Sequence, residues 1–308
     1  EYEPKCKCGQ IFKNKVILNH KYNTKAMETN ILKGLINLIK NPITDLKHHY
    51  VSKNRANSMG EALEFFIKDL FCETLEENDL NVKNETYSKF FSYLGNQNNP
   101  PDIIIRGGDA IEVKKIESFG SGIALNSSYP KDRLYADSPM ITQACRDCEN
   151  WREKDIVYII GVLGKNKLHS IWFVYGDCYA ANKEVYERIK NKISQGINEM
   201  TDVEFSETKE LGRVNKVDPL GITCLRIRGM WHIDNPVKVF KYITEVNKKD
   251  DFTVNALILK EKYDSFPEKD KKEVEGIKLK NFEILDVKIK SPNNSAKLLN
   301  AKLIRFVK

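Results

Sequence analysis

Asp102 and, ten residues on, Glu112-Val113-Lys114 are the residues whose types and spacing can do chemistry in this chain. In a strand, side chains alternate between faces, so Glu112 and Lys114 share one side while Ile111 and Val113 point into a core. Gly107-Gly108-Asp109 reads as a turn. That makes Asp102–Arg106 and Ala110–Ile116 the arms of a β-hairpin and sets the carboxylates of Asp102 and Glu112 side by side. Two convergent carboxylates suit a hard cation such as Mg²⁺, whose remaining ligands are water and substrate oxygen. A neighbouring lysine can position or deprotonate an attacking water and offset charge on a phosphate. The two acids and the lysine together are a candidate unit for phosphodiester hydrolysis. The same spacing also arises by chance in Lys-rich chains, where it marks a hairpin with a solvated polar face.

The elements around this unit can be read outward from it. Glu28-Thr29-Asn30 leads into a helical stripe of Ile31, Leu32, Leu35, Ile36 and Ile39 that stops at Asn41-Pro42. Ser58-Met59-Gly60-Glu61 is a capping box for a second helix, which buries Leu63, Phe66, Ile67, Leu70 and Phe71. Glu64 on this helix is the accessory carboxylate expected at the metal site, since Glu61 already has a capping role. Gly95–Pro101 is expected to be a loop, and Ser138–Trp151 a helix. Strands are expected at Asp155–Leu163 and Leu168–Gly176, with a turn at Gly164–Lys167, and an amphipathic helix at Ala181–Glu199. Ile222–Arg228 is a further strand. Beyond Pro236 come one short helix and strands near Phe252–Leu259, Phe282–Ile289 and Lys297–Phe306, separated by a Lys/Glu-rich turn region. Strands and helices alternate, so the fold class is α/β, a mixed sheet covered by helices.

Long strings around the catalytic unit resemble a known family. Asn99-Pro100-Pro101-Asp102 and Asp109-Ala110-Ile111-Glu112-Val113-Lys114-Lys115-Ile116-Glu117-Ser118 look like the catalytic segment of NgoPII-type restriction endonucleases. The resemblance continues in Ala124–Lys131, Ala144–Glu149, Phe205–Thr208, Leu225–Trp231 and Lys53-Asn54-Arg55, and covers most of Met27 to about Pro236. It implies a PD-(D/E)xK nuclease fold and a type II restriction enzyme that cuts double-stranded DNA with Mg²⁺. It further implies a GGCC target, a companion DNA methyltransferase protecting the host, and catalysis by Asp102, Glu112 and Lys114. A homodimer matches a palindromic target. The rival readings are a structure-directed repair or junction nuclease with the same triad and a non-catalytic DNA-binding module. A methyltransferase is disfavoured, with neither a glycine-rich cofactor loop after a strand nor a Pro-Cys nucleophile motif.

Reading GGCC requires donors for guanine O6 and N7. Arginine is scarce, and nine of the ten fall between Arg55 and Arg228. Arg226 and Arg228 alternate onto one strand face next to Trp231 and make one candidate pair. The segment Asn126–Arg133 offers Asn126, Ser127, Ser128, Lys131 and Arg133. Lys53, Arg55 and Asn57 are candidate phosphate contacts. For each of these, a surface ion pair or solvated charge is the ordinary alternative.

Composition sets the outer limits. The chain has 308 residues, 41% hydrophobic and 30% charged, which excludes wholesale disorder. Its apolar runs are too short for a bilayer helix. Seven cysteines and no charged-then-apolar leader suit a reducing cytoplasm. Formal charge is +7, of which +4 lies in residues 1–26; the remainder is too small to argue for a polyanion by itself. Residues 1–26 are expected to be a basic extension and 27–308 the nuclease domain. Within the extension Cys6, Cys8, Phe12, Leu18 and His20 loosely resemble part of a zinc finger, without a fourth ligand. A basic tail, or residues upstream of a natural start at Met27, is the preferred account. Cys145-x-x-Cys148 has no second pair and reads as packing, and His48 and His49 as solvated loop residues.

Overall fold

The computed structural model describes residues 28–51, 58–96, 99–164, 167–247 and 250–308. The segment 1–26 with Cys6, Cys8 and His20, and the candidates Lys53, Arg55 and Asn57, lie outside the described residues. Asn30 caps α1 (Ile31–Lys40), accepting the amides of Leu32 and Lys33. Ser58 Oγ accepts the Glu61 amide and starts α2 (Met59–Cys72) where the capping box places it. The expected apolar stripes of both helices are buried, each large side chain contributing roughly 1.5–3 kcal/mol. Between the helices, Lys47–Val51 makes a π-helical turn. Here His49 is half-buried, with Nε2 3.2 Å from the Leu75 carbonyl, rather than a solvated loop residue.

The chain continues through α3 (Leu80–Phe90), β1 (Phe91–Asn96), β2 (Asn99–Ile105), β3 (Ala110–Ile116), β4 (Ile123–Ala124) and β5 (Arg133–Tyr135). Next come α4 (Gln143–Asp147), β6 (Glu153–Gly164), β7 (Lys167–Tyr175), α5 (Gly176–Tyr179) and α6 (Lys183–Asn198). Then follow β8 (Glu204–Phe205), β9 (Gly212–Asn215), β10 (Leu225–Ile227), β11 (His232–Ile233) and α7 (Pro236–Val239). The chain ends with β12 (Thr253–Leu259), α8 (Lys260–Asp264), α9 (Glu268–Glu275), β13 (Phe282–Ser291) and β14 (Asn294–Val307).

A nine-stranded sheet runs in the order β1-β2-β3-β6-β7-β12-β14-β13, with β5 added against β6. The β3–β6 and β7–β12 pairs are parallel and the rest antiparallel, so the sheet is mixed, as expected. Its two faces can be told apart by contacts. A side chain at Gly161 would strike Leu63 of α2, so α2 lies on that face. The alternate face carries Tyr158, Ile160 and Trp172, and is covered by Tyr179 and Phe240, whose rings meet Tyr158 and Trp172. Small sheets β10-β9-β8 and β11-β4 stand apart from the main one.

Three expectations are corrected. Gly95–Pro101 is not a loop throughout: β1 runs to Asn96 and β2 begins at Asn99, passing through both prolines. The ladder is irregular there, with a register shift between Leu94 and Asn96, and a strand start or bulge tolerates residues that lack an N–H. Ser138–Trp151 forms only the five-residue α4, capped by Thr142. The remainder is held by side chain to backbone bonds, with Arg146 donating to the carbonyls of Ala136 and Ser138. The Lys/Glu-rich region after β12 folds into α8 and α9, where Glu268 and Asp270 in the first turn of α9 favour its N-terminus.

Candidate active site

Asp102 and Glu112 come from adjacent strands. The β2–β3 register pairs Ile103 with Ile111 and Ile104 with Ala110. One step further puts Asp102 across from Glu112, and residues directly opposite share a face. The parallel ladder then pairs Glu112 with Tyr158 and Lys114 with Ile160. The acidic side of the hairpin therefore lies on the face that Tyr179 and Phe240 cover further along the sheet. Glu112 is only 8% exposed, so this is a buried pocket and not the solvated polar face that chance spacing would give.

The charges in the pocket are unbalanced. Asp102 Oδ2 accepts the Val113 amide at 2.6 Å. Glu112 Oε1 sits 2.5 Å from Lys114 Nζ, while its Oε2 is buried with no hydrogen-bond partner among the described residues. Burial first, and then the nearby Glu112 charge, push the Asp102 carboxyl up to about 8. For Lys114, burial works toward loss of the proton, but Glu112 and Asp102 outweigh it and hold the ammonium above its usual range. An orphaned carboxylate oxygen beside a second carboxylate that resists ionising is a donor set that fits a hard divalent cation.

Glu64 stands on α2, near enough to act electrostatically on Asp102 and Lys114. Its helix packs on the opposite face, and among the described residues no group of three His, Cys, Asp or Glu side chains is arranged to hold a metal ion. Glu64 senses Glu112 and Lys114 electrostatically, and burial is the main cause of its raised pKa.

The candidate DNA-reading residues fall into two groups. Lys131 is 6% exposed. Its amide donates to Tyr158 Oη at 2.8 Å, its Nζ to Ser128 Oγ and to the Tyr129 carbonyl, and the Tyr129 ring lies 4.9 Å away. Gly176 lets this backbone come close, since a Cβ there would meet the Lys131 and Asp132 carbonyls at 2.4 Å. Burial drives the Lys131 ammonium down to about 8, with Glu112 pulling the other way. Lys131 is thus buried beside Tyr158, where it feels the Glu112 charge, and is not part of an open surface. Arg133 is engaged as well, with its guanidinium on Glu153 at 3.1 Å and Asp155 at 2.9 Å, as part of the β5–β6 pairing.

Asn126 and Ser127 are exposed, and they are tied to the second reading segment. Leu125 N–H donates to the Trp231 carbonyl and Trp231 N–H to the Asn126 carbonyl, both at 2.8 Å, beside the β4–β11 pair. Tyr129, Tyr186 and Trp231 then pack ring on ring across the junction. The two candidate segments are one physical unit.

Arg226 and Arg228 are half-exposed, and both are held by Glu210. Arg213 lies across the β9–β10 ladder from Arg226 and is exposed on the same side. Alternation along one strand brought out Arg226 and Arg228 in the sequence. Arg213 and Glu210 escape such a reading because they join them through a cross-strand register and a loop. Cys145 and Cys148 are free, with burial raising both thiols, which fits packing.

Comparison with known proteins bears on this arrangement directly. The family model described as NgoPII restriction endonuclease matches residues 29–290. The chain belongs to the NgoPII restriction endonuclease family. The curated type II restriction enzyme NgoPII of Neisseria gonorrhoeae is 50% identical over 278 residues, covering 90% of this chain and 99% of that one. No solved structure matches. Membership in the NgoPII family makes the mixed sheet a restriction-endonuclease fold and the chain a type II restriction endonuclease. The buried carboxylate pair with its lysine is a candidate for such chemistry. Among the described residues no helix is long and apolar enough to cross a membrane.

Proposed function

We propose that residues 27–308 form a Mg²⁺-dependent endonuclease that acts as a homodimer on double-stranded DNA. Each subunit hydrolyses one strand of GGCC and leaves 5′-phosphate and 3′-hydroxyl ends. The observation that carries the reading is the Asp102–Glu112 pair sharing one buried face, with Glu112 Oε2 unpartnered and Lys114 Nζ against Oε1. Asp102 and Glu112 would hold Mg²⁺, with Glu64 on α2 as the accessory ligand. When bound, the cation supplies Lewis-acid stabilisation of charge on the phosphate.

The protein's own groups account for the rest. Lys114 stays protonated between the two carboxylates, so it orients the attacking water by donating to it and offsets charge developing on the phosphate. The Val113 amide fixes the Asp102 carboxylate. Lys131 brings a second buried cation toward the same phosphate position. The exposed segment around Asn126 and Ser127, with Arg226 and Arg228, would meet the DNA, and Lys53, Arg55 and Asn57 are assigned to phosphate contact. A companion methyltransferase of the same specificity would protect host DNA, in the cytoplasm where both act.

Digestion of a sequenced plasmid with Mg²⁺, followed by mapping of the ends, tests the proposal. Discrete fragments with ends inside GGCC are expected. A smear, breaks indifferent to GGCC, or full activity in chelator would refute it.

A further inference from the structure

The sheet β10-β9-β8 is amphipathic, and its two sides do different things. A Cβ at Gly212 would touch Ile197 of α6 at 2.8 Å and Ile227 at 3.4 Å, so the Gly212–Ile227 side packs on the helix. Arg213 and Arg226, directly paired across the ladder, face away from α6 and are exposed. Arg228 follows two residues later, where alternation returns it to that side. Within this sheet β9 and β10 form a two-stranded antiparallel ribbon, a form that fits the major groove of DNA.

Glu210 sets the geometry of this side. Its Oε2 accepts Arg226 Nε at 2.9 Å, and its Oε1 accepts Arg226 Nη2 at 2.7 Å and Arg228 Nε at 2.5 Å. Sharing one oxygen brings the two guanidiniums closer together than the roughly 7 Å that separates alternate residues of a strand. The pairing leaves outward N–H groups on both arginines, because a guanidinium has five donors and these bonds use only some of them. Glu210 is itself anchored: the next residue, Leu211, donates its amide to the Ile227 carbonyl and accepts Ser194 Oγ of α6. The glutamate side chain is 15% exposed, against 54% and 55% for Arg226 and Arg228. The donors are therefore the more accessible part of this cluster.

We propose that Glu210 is a positioning residue that locks Arg226 and Arg228 into a fixed pair for reading two adjacent guanines, one pair per subunit and one half-site each. This rests on the GGCC reading, whose half-site holds two neighbouring G·C pairs. Arg213 adds positive charge to the same side without a carboxylate partner among the described residues; its Nη2 contacts Cys224 Sγ at 3.8 Å.

An ordinary surface ion pair and a positioning carboxylate predict opposite signs. If Glu210 were only a surface partner, removing its negative charge from a DNA-facing side would tighten binding to every sequence. If it positions the pair, cognate binding weakens although the protein becomes more basic. The test uses the full chain in a Lys114→Ala background with Mg²⁺. Anisotropy would measure binding to a duplex carrying GGCC and to one with a single G·C changed to A·T. Glu210→Ala is expected to lower the cognate-to-changed ratio roughly ten- to hundredfold, with the changed duplex bound as tightly as before or tighter. Glu210→Gln, which keeps one acceptor, should fall between. Equal shifts on both duplexes, in either direction, overturn the assignment, and this includes a collapse of the small sheet. The two failures separate on the parent enzyme. If its mapped ends lie in a site without adjacent guanines, the GGCC reading falls and the guanine pair with it. If they lie in GGCC and the ratio stays unchanged, only the role of Glu210 falls.

Discussion

At the scale of single residues, the unusual proton affinities of the pocket have measurable consequences. Asp102 is raised to about 8 by burial and by Glu112, whereas an unfolded Asp titrates near 3.9. Between those values the folded protein holds a proton that the unfolded chain releases. Stability from this group is therefore fully present below about 4 and is lost as pH rises toward 8. In metal-free buffer Asp102→Asn should melt above the parent at pH 8, with the gap closing toward pH 4. Its cleavage rate should drop by roughly a thousandfold or more, since the loss removes several kcal/mol of transition-state stabilisation. Mg²⁺ should raise the melting temperature of the parent and leave Asp102→Asn unmoved. A variant that melts below the parent at pH 8 contradicts this account. Lys131 has the opposite sign. Burial lowers it to about 8, so the folded state disfavours its charge, and the penalty lessens as pH rises above 8. Lys131→Met should melt higher than the parent at pH 7 yet cleave at least tenfold more slowly in single-turnover assays. Asp102, Glu112 and Lys114 were legible in the sequence because alternation and a two-glycine turn are local. The burial of Lys131 was not, since it depends on Tyr158 of β6 and Gly176 at the start of α5, both distant in sequence.

At the scale of elements, the start of β2 decides where Asp102 stands. Gly95 lies so close to it that an added Cβ would sit 2.3 Å from the Pro101 carbonyl and 3.1 Å from Asp102 Cα. Backbone cannot yield there as a side-chain end would. Gly95→Ala should destabilise the fold by roughly 1–3 kcal/mol. It should also slow cleavage by a larger factor than that loss alone accounts for, as read from melting and single-turnover rates on the same preparation. The sequence disguised this element, because a run of amides and prolines has loop composition and only the neighbouring strand shows that the ladder accommodates it. The start of α2 was readable to the residue, because the Ser58 cap acts through a bond spanning three residues; for α1 the apolar stripe was readable, and the Asn30 cap that starts it is a finding of the structure. Short elements such as β4, β8 and β11 were not, since two residues carry no period.

At the scale of the whole molecule, a formal charge of +7 says little about where DNA lies. The grouping of Arg213, Arg226 and Arg228 on one side of a small sheet says more. With the Lys114→Ala protein, binding to non-cognate duplex should weaken steeply with salt. Arg213→Ala should reduce the log–log slope by about one if that side chain neutralises one phosphate. An unchanged slope would place Arg213 away from the DNA.

That small sheet leans on α6, and none of the sixteen residues of α6 is buried. Val185, Ile189 and Ile193 are turned to water, while the central strands β6, β7 and β12 of the main sheet are enclosed. Free energies of local opening follow burial, so amides of α6 and β9 should exchange with solvent orders of magnitude faster than those of β6 and β7. Cognate duplex should slow them selectively. The catalytic sheet would then be a standing structure and the reading ribbon a part-time one. Some of the energy of a correct encounter would go into setting it in place, so discrimination would be felt in how often the ribbon closes as well as in how tightly it holds.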